Sequence, residues 1–214
     1  MRTLISINDC YALTGFQYED LLSLTGIFTI HGKLEFLSLA SQPSFKYSIF
    51  FDDEDDLLTV EMTDSPKIEV LRIKIKSRDN LYVDYFRLQQ TYKGGNLGFK
   101  RLIKQIEEAR RLNFKEITLQ AYGDYSLFPI WDGYIVWGKY GFRMYRRNDI
   151  TYFTTLMQSE RLSHCTEINV LVSSKEGAAL WKHIGRTWDG KFELANGSNS
   201  DKIYIKYGSD RSLF

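Results

Sequence analysis

The chain has 214 residues, 28 of them Lys or Arg against 27 Asp or Glu, giving a formal net charge of +1. So even a balance argues against a broad electrostatic footprint for nucleic acid or a membrane surface. The length suits one large domain, or one domain with a substantial appendage, and can bury a sizeable core.

Two cysteines, Cys10 and Cys165, lack ligand spacing and suggest no disulfide framework. His31, His164 and His183 are scattered without a metal motif, so no metal is expected. There is no signal-peptide pattern and no apolar run of bilayer length, which makes a cytoplasmic protein the expectation.

In chain order, Tyr18 to Leu24 reads as helical, and Phe28 to Phe36 as strand, turn, strand around His31-Gly32. Phe45 to Phe51 is the next strand. Asp52-Asp-Glu-Asp-Asp56 follows as a solvated hairpin loop whose charge discourages edge pairing. It lacks the Gly and distal Glu of a calcium loop. Leu57 to Met62 and Ile68 to Ile75 read as two more strands, split by Asp64-Ser65-Pro66.

The most informative stretch is Leu81 to Gly98. Leu81 to Gln89 is apolar on both faces, as in a strand covered on each side. Lys93-Gly-Gly-Asn-Leu-Gly98 then forms a turn into a helix that runs to about Leu112. A helix start of this kind directs backbone N–H groups outward where the dipole favours an anion, and glycines let a ligand approach closely. That is a recipe for holding a pyrophosphate, although Gly94-Gly95 would equally serve a tight turn.

The helix carries Phe99, Leu102, Ile103, Ile106 and Ala109 on one face. Lys100, Arg101, Lys104, Glu107, Glu108, Arg110 and Arg111 lie on the other. Asn113 lies past its last turn, where Asn accepts a left-handed conformation. Lys115 to Tyr122 alternates as a half-buried strand, completing a βαβ unit. The aromatic loop from Tyr122 to Asp132 is either a wall of a pocket or a cap on the core. Gly133 to Gly141 reads as a short helix leading through Phe142 into another strand.

The order strand, Lys93–Gly98 turn, helix, strand, short helix, Tyr140-Gly-Phe142, strand resembles the GNAT superfamily of N-acetyltransferases over roughly residues 46 to 147. That family holds acetyl-CoA with Arg or Gln, two residues, Gly, one residue, then Gly or Ala. Lys93 stands at the first position, Asn96 at the first Gly and Gly98 at the last, with Leu97 at a usually aliphatic place. The resemblance implies a mixed, mostly antiparallel central sheet flanked by helices, an acyl-CoA acyltransferase fold of the α/β (α+β) class.

The resemblance also implies roles. Lys93, Gly94, Gly95, Asn96, Leu97 and Gly98 would hold the pyrophosphate of acetyl-CoA, and the main chain near Leu88 would polarise the thioester. The family's usual acid, a Tyr four residues before the Gly of the Gly-Phe pair, is replaced here by Trp137. Tyr134 and Tyr140 stand in as candidates. Asp84 is a candidate base, beside Glu116, Asp124 and Asp132, each of which has an ordinary reading as a strand, surface or turn acid. Tyr122, Asp124 and Trp131 are candidates for contact with the amine acceptor.

Residues 1–147 are thus expected to form the acetyltransferase-like domain, with 148–214 an extension packed on it. In the tail, Ser173-Ser-Lys-Glu176 is a capping-box pattern opening a helix that Gly185 ends. Phe192 to Leu194 and Lys202 to Tyr207 read as a hairpin around the polar turn Asn196 to Ser200. This helix plus hairpin could cover an acceptor site, make a homodimer contact or extend the sheet. Two readings from other classes stand beside the enzyme: a catalytically silent binding protein on the same fold, and nucleic-acid binding through Arg143, Arg146 and Arg147.

Overall fold

The computed structural model describes residues 3–6, 46–52, 57–64, 68–75, 79–88, 96–111, 113–123 and 132–210. The expected helix at Tyr18 to Leu24 and the strands around His31 lie outside the described residues, as do Lys93, Gly94, Gly95, Asp124 and Trp131. The chain divides into two compact units, Met1–Ile117 and Thr118–Phe214.

The first unit is built on an antiparallel sheet of β1 (Thr3–Ser6), β2 (Lys46–Asp52), β3 (Leu57–Asp64), β4 (Ile68–Ile75) and β5 (Asn80–Leu88), in that order. β2 and β3 pair across the acidic segment, from Asp52 opposite Leu57 to Lys46 opposite Thr63. The strands expected at Phe45 to Phe51, Leu57 to Met62 and Ile68 to Ile75 are therefore present within two residues of their predicted ends, and β1 is a strand that the sequence reading did not include.

β5 differs from expectation in one respect. Leu81 and Val83 are fully buried, but Tyr82, Asp84 and Phe86 are only half-buried. The strand has one core face and one partly open face, because Asp84 cannot be buried among apolar side chains without cost.

Helix α1 (Leu97–Arg111) follows, and its end is fixed by a left-handed Asn113 with φ 62°. Asn113 N–H donates to the Arg110 carbonyl and Phe114 N–H to the Ala109 carbonyl, the paired bonds of a Schellman turn. The buried face of α1 is Gly98, Phe99, Arg101, Leu102, Gln105, Ile106 and Ala109. This corrects the assignment of Arg101 to the solvent side and of Ile103 to the core. Arg101 and Gln105 fall within the arc centred on Leu102 and Ala109, while Ile103 lies at its edge. β6 (Glu116–Ala121) then starts beside β5, where the N–H groups of Lys115 and Glu116 both donate to the Asp79 carbonyl.

The second unit contains the rest of β6, α2 (Gly133–Lys139), β7 (Arg143–Met144), α3 (Arg147–Ser159), α4 (Ile168–Val172), α5 (Lys175–Ile184), β8 (Trp188–Glu193) and α6 (Asn199–Ser209). β8 lies between β6 and β7 and pairs antiparallel with β7. Its core is aromatic: Trp181, Trp188, Tyr134, Phe142, Phe153 and Phe192 are all buried to within 2%.

The tail corrects two expectations. The cap of α5 is Ser174, not Ser173: the Ser174 hydroxyl accepts from Gly177 N–H, and Ser173 ends α4. The expected second strand of the hairpin, Lys202 to Tyr207, is helical within α6. Lys-Ile-Tyr-Ile-Lys-Tyr alternates like a strand, but Ser198 and Asp201 cap a helix just before it. The Ser198 hydroxyl accepts from Asp201 N–H, and the Asp201 carboxylate accepts from Gly197 N–H. With that start fixed, Asp201, Tyr204 and Gly208 share the buried face and Ile205 is left exposed. Among the described residues, 148–210 are therefore helices around one strand, not a helix plus a hairpin.

Among the described residues, no helix is long and apolar enough to cross a membrane.

Candidate functional site

In the first unit, β5 leads towards α1. Asn96 adopts φ 58°, and its carbonyl accepts the N–H of Lys100 at 2.9 Å, the first bond of the helix. Asn96 is therefore the residue that turns the chain left-handed into α1, a role Asn fills at low cost and most residues do not. Leu97, Gly98 and Phe99 occupy the first turn, where N–H groups have no carbonyl of their own helix to meet. No acid lies in that turn. A 15-residue helix with this start offers an anion both oriented donors and a favourable dipole.

Asp84 occupies a distinctive place on β5. Arg72 of β4 lies opposite Tyr85 and the adjacent Ile73 lies opposite Val83, so Asp84 is the extra residue of a β-bulge. Its carboxylate oxygen lies 3.3 Å from Lys74 Nζ and 3.6 Å from an Arg72 guanidinium nitrogen, both on the neighbouring strand. Leu88 ends the strand opposite Ile68. Glu116 accepts from the Asn80 amide at 2.6 Å, which gives that acid a structural partner where β5 and β6 begin.

In the second unit, Tyr122 and Tyr134 are joined through their backbones, Tyr134 N–H donating to the Tyr122 carbonyl at 3.0 Å. Gly133 is needed there, since a Cβ would lie 2.8 Å from that same carbonyl oxygen. The Tyr122 ring is 48% exposed. Just beyond it, the Thr187 hydroxyl bonds both the N–H and the carbonyl of Gly123.

Tyr134 is 2% exposed and its hydroxyl donates to the Lys182 carbonyl at 2.9 Å. Its own carbonyl accepts two indole N–H groups, from Trp188 at 2.8 Å and Trp181 at 3.0 Å. Sequence reasoning missed both tryptophans, and no local signal could have found them. They lie 47 and 54 residues away along the chain.

The Tyr140-Gly-Phe142 pattern has a clear local cause. Gly141 has φ 95°, its N–H donates to the Gly138 carbonyl, and Phe142 N–H donates to the Trp137 carbonyl. This is a Schellman turn, and the apolar contact that accompanies such turns is Trp137 against Phe142. Tyr140 is half-buried at the cap, with its ring edge-on to Trp137 at 5.9 Å and to Tyr207 at 5.3 Å.

Among the described residues, no group of His, Cys, Asp and Glu could hold a metal ion.

No family model and no curated protein matches the chain. Solved structures do, each at low identity and with a TM-score below 0.5. One match is a GNAT family acetyltransferase from Elizabethkingia anophelis with acetyl-CoA bound. It is 13% identical, with a TM-score of 0.33, over 68% of this chain and 78% of that one. A second is Ard1 from Thermoplasma volcanium, 12% identical, with a TM-score of 0.35, over 91% and 99% of the two chains. A third is a GNAT family protein from Desulfovibrio desulfuricans, 11% identical, with a TM-score of 0.34, over 91% and 100%.

Proposed function

We propose that the chain is an acetyl-CoA-dependent N-acetyltransferase acting on a primary amine. The observation that carries this reading is the left-handed Asn96 opening a long, acid-free helix start just after β5. Asn in place of the family's Gly departs from the signature by residue type, while the backbone conformation at Asn96 is one that Gly favours. Lys93, Gly94, Gly95, Asn96, Leu97 and Gly98 would hold the pyrophosphate. A main-chain N–H near Leu88 would meet the thioester oxygen.

In the reaction the neutral amine attacks the thioester carbonyl carbon, the C–S bond breaks, and the acetyl group passes to nitrogen. The amine loses one proton and the departing thiolate gains one. Asp84, at its bulge, is the proposed acceptor of the first. Tyr140 is the proposed donor of the second. Tyr134 would serve there only by giving up its bond to Lys182. Tyr122, Asp124 and Trp131 are the proposed contacts for the acceptor.

A second reading has its own support. Trp137 is engaged in the helix cap and the Tyr134 hydroxyl is committed inside the core, which suits a protein that binds CoA without turning it over. Titration calorimetry with acetyl-CoA and CoA, followed by thiol release over a panel of amines, separates the two. Micromolar binding with thiol release supports the transferase, binding without release supports the silent binder, and no binding sinks both.

A further inference from the structure

The polar groups of Tyr134 tie it to three pieces of the second unit, β6, α5 and β8. Its N–H meets Tyr122 at the end of β6, its hydroxyl meets Lys182 on α5, and its carbonyl meets Trp181 on α5 and Trp188 on β8. α2 needs such anchorage. It has only seven residues, and Asp132 before it makes no side-chain capping bond. A helix this short has little stability of its own.

We propose that Trp181 and Trp188 are positioning residues, whose indole N–H groups set the pitch of α2 and thereby the place of the Tyr140 ring. Both indoles are buried to within 1%, so neither N–H has water as an alternative partner. Together they bring two side-chain donors to one carbonyl in the first turn of α2. Six residues on, about 9 Å along the axis, the same short helix ends at Tyr140. There the ring is held edge-on by Trp137 and Tyr207. A tilt introduced at Tyr134 is therefore carried to Tyr140 by a helix too short to absorb it. This inference rests on the proposed transferase reading for its catalytic consequence, but not for its mechanical one.

The test is Trp188→Phe and Trp181→Phe, each keeping a buried ring and losing one N–H, with Met157→Leu on α3 as a core control that removes no hydrogen-bond donor. Three quantities are read: CoA affinity, kcat and KM for acetyl transfer with the pH profile of kcat, and hydrogen exchange of the amides of residues 137–140. The expected result is a kcat lowered about 10-fold or more, with CoA affinity and the KM for acetyl-CoA within about twofold. The pH profile of kcat moves, and exchange at 137–140 is faster than in the control. An equal loss of kcat in Met157→Leu, or an unmoved pH profile, overturns the positioning role. If the unaltered protein transfers no acetyl group, the transferase reading fails separately. Exchange then decides alone, and unchanged rates at 137–140 in both tryptophan variants overturn the inference.

Discussion

Phe142 packs against Trp137 across the Schellman turn that ends α2, with 5.2 Å between ring centroids. The contact gives Trp137 a physical reason to occupy a place where resemblance alone suggests an acid. Replacing it with Ala removes the apolar half of the cap. Because Trp137 is only half-buried, the loss should be about 2 kcal/mol, below the usual 3–5 for a fully buried Trp. Chemical denaturation of Trp137→Ala measures it. Stability unchanged within error would show that the cap does not depend on this ring.

Asn96 should tolerate Gly and resist branched residues. Asn96→Gly is expected to keep the fold and CoA affinity, since Gly adopts positive φ freely. Asn96→Val forces a β-branched residue left-handed, at a cost of about 1–2 kcal/mol, and should weaken CoA binding about 10-fold or more as the turn reshapes. Calorimetry on both variants checks this. Equal affinity in the two would disconnect the turn from the ligand.

Arg161 is the third left-handed helix end, with φ 58°, its N–H donating to the Gln158 carbonyl and Leu162 N–H to Met157. Here an exposed Arg stands where Gly is usual. Arg161→Gly is expected to stabilise the protein by about 1 kcal/mol, raising Tm by about 2–4 °C. A lower Tm in a thermal melt would refute this.

Gly177 sits so close to α4 that a Cβ would fall well inside van der Waals contact distance of the Leu171 carbonyl oxygen. The obstacle is backbone, which cannot swing aside. Gly177→Ala should therefore cost about 3 kcal/mol, the upper end of overpacking effects, despite the higher helix propensity of Ala. Denaturant midpoints report it directly.

Two tyrosines six residues apart should respond oppositely. Tyr134→Phe leaves the Lys182 carbonyl without a buried donor and should lose about 1–2 kcal/mol of stability. Tyr140→Phe should leave stability nearly unchanged and lower kcat about 100-fold, with CoA affinity preserved. A Tyr134→Phe variant that lost activity without losing stability would reverse the assignment.

Much of the first unit was legible because its elements are local. The strands from Phe45 to Ile75, the helix after Asn96 and the left-handed Asn113 follow from alternation, helical spacing and the tolerance of Asn for positive φ. The stripe on α1 was read less well. Arg101 and Gln105 are polar by composition but buried by geometry, since a helix face is set by angle and not by chemistry. In the second unit, α3 passed unread although Tyr152, Phe153, Leu156 and Met157 have helical spacing. α6 was mistaken for a strand because alternation outweighed the Ser198–Asp201 cap.

The sequence by itself determined the turn chemistry: which residues can go left-handed and which can cap a helix. These depend on a few neighbouring residues and their backbone preferences. Only the tertiary structure decided that Asp84 stands at a bulge against Lys74 and Arg72, and that two indoles close on the Tyr134 carbonyl. Such contacts join residues far apart along the chain, and a donor's side chain carries no local mark of the acceptor that folding will bring to it.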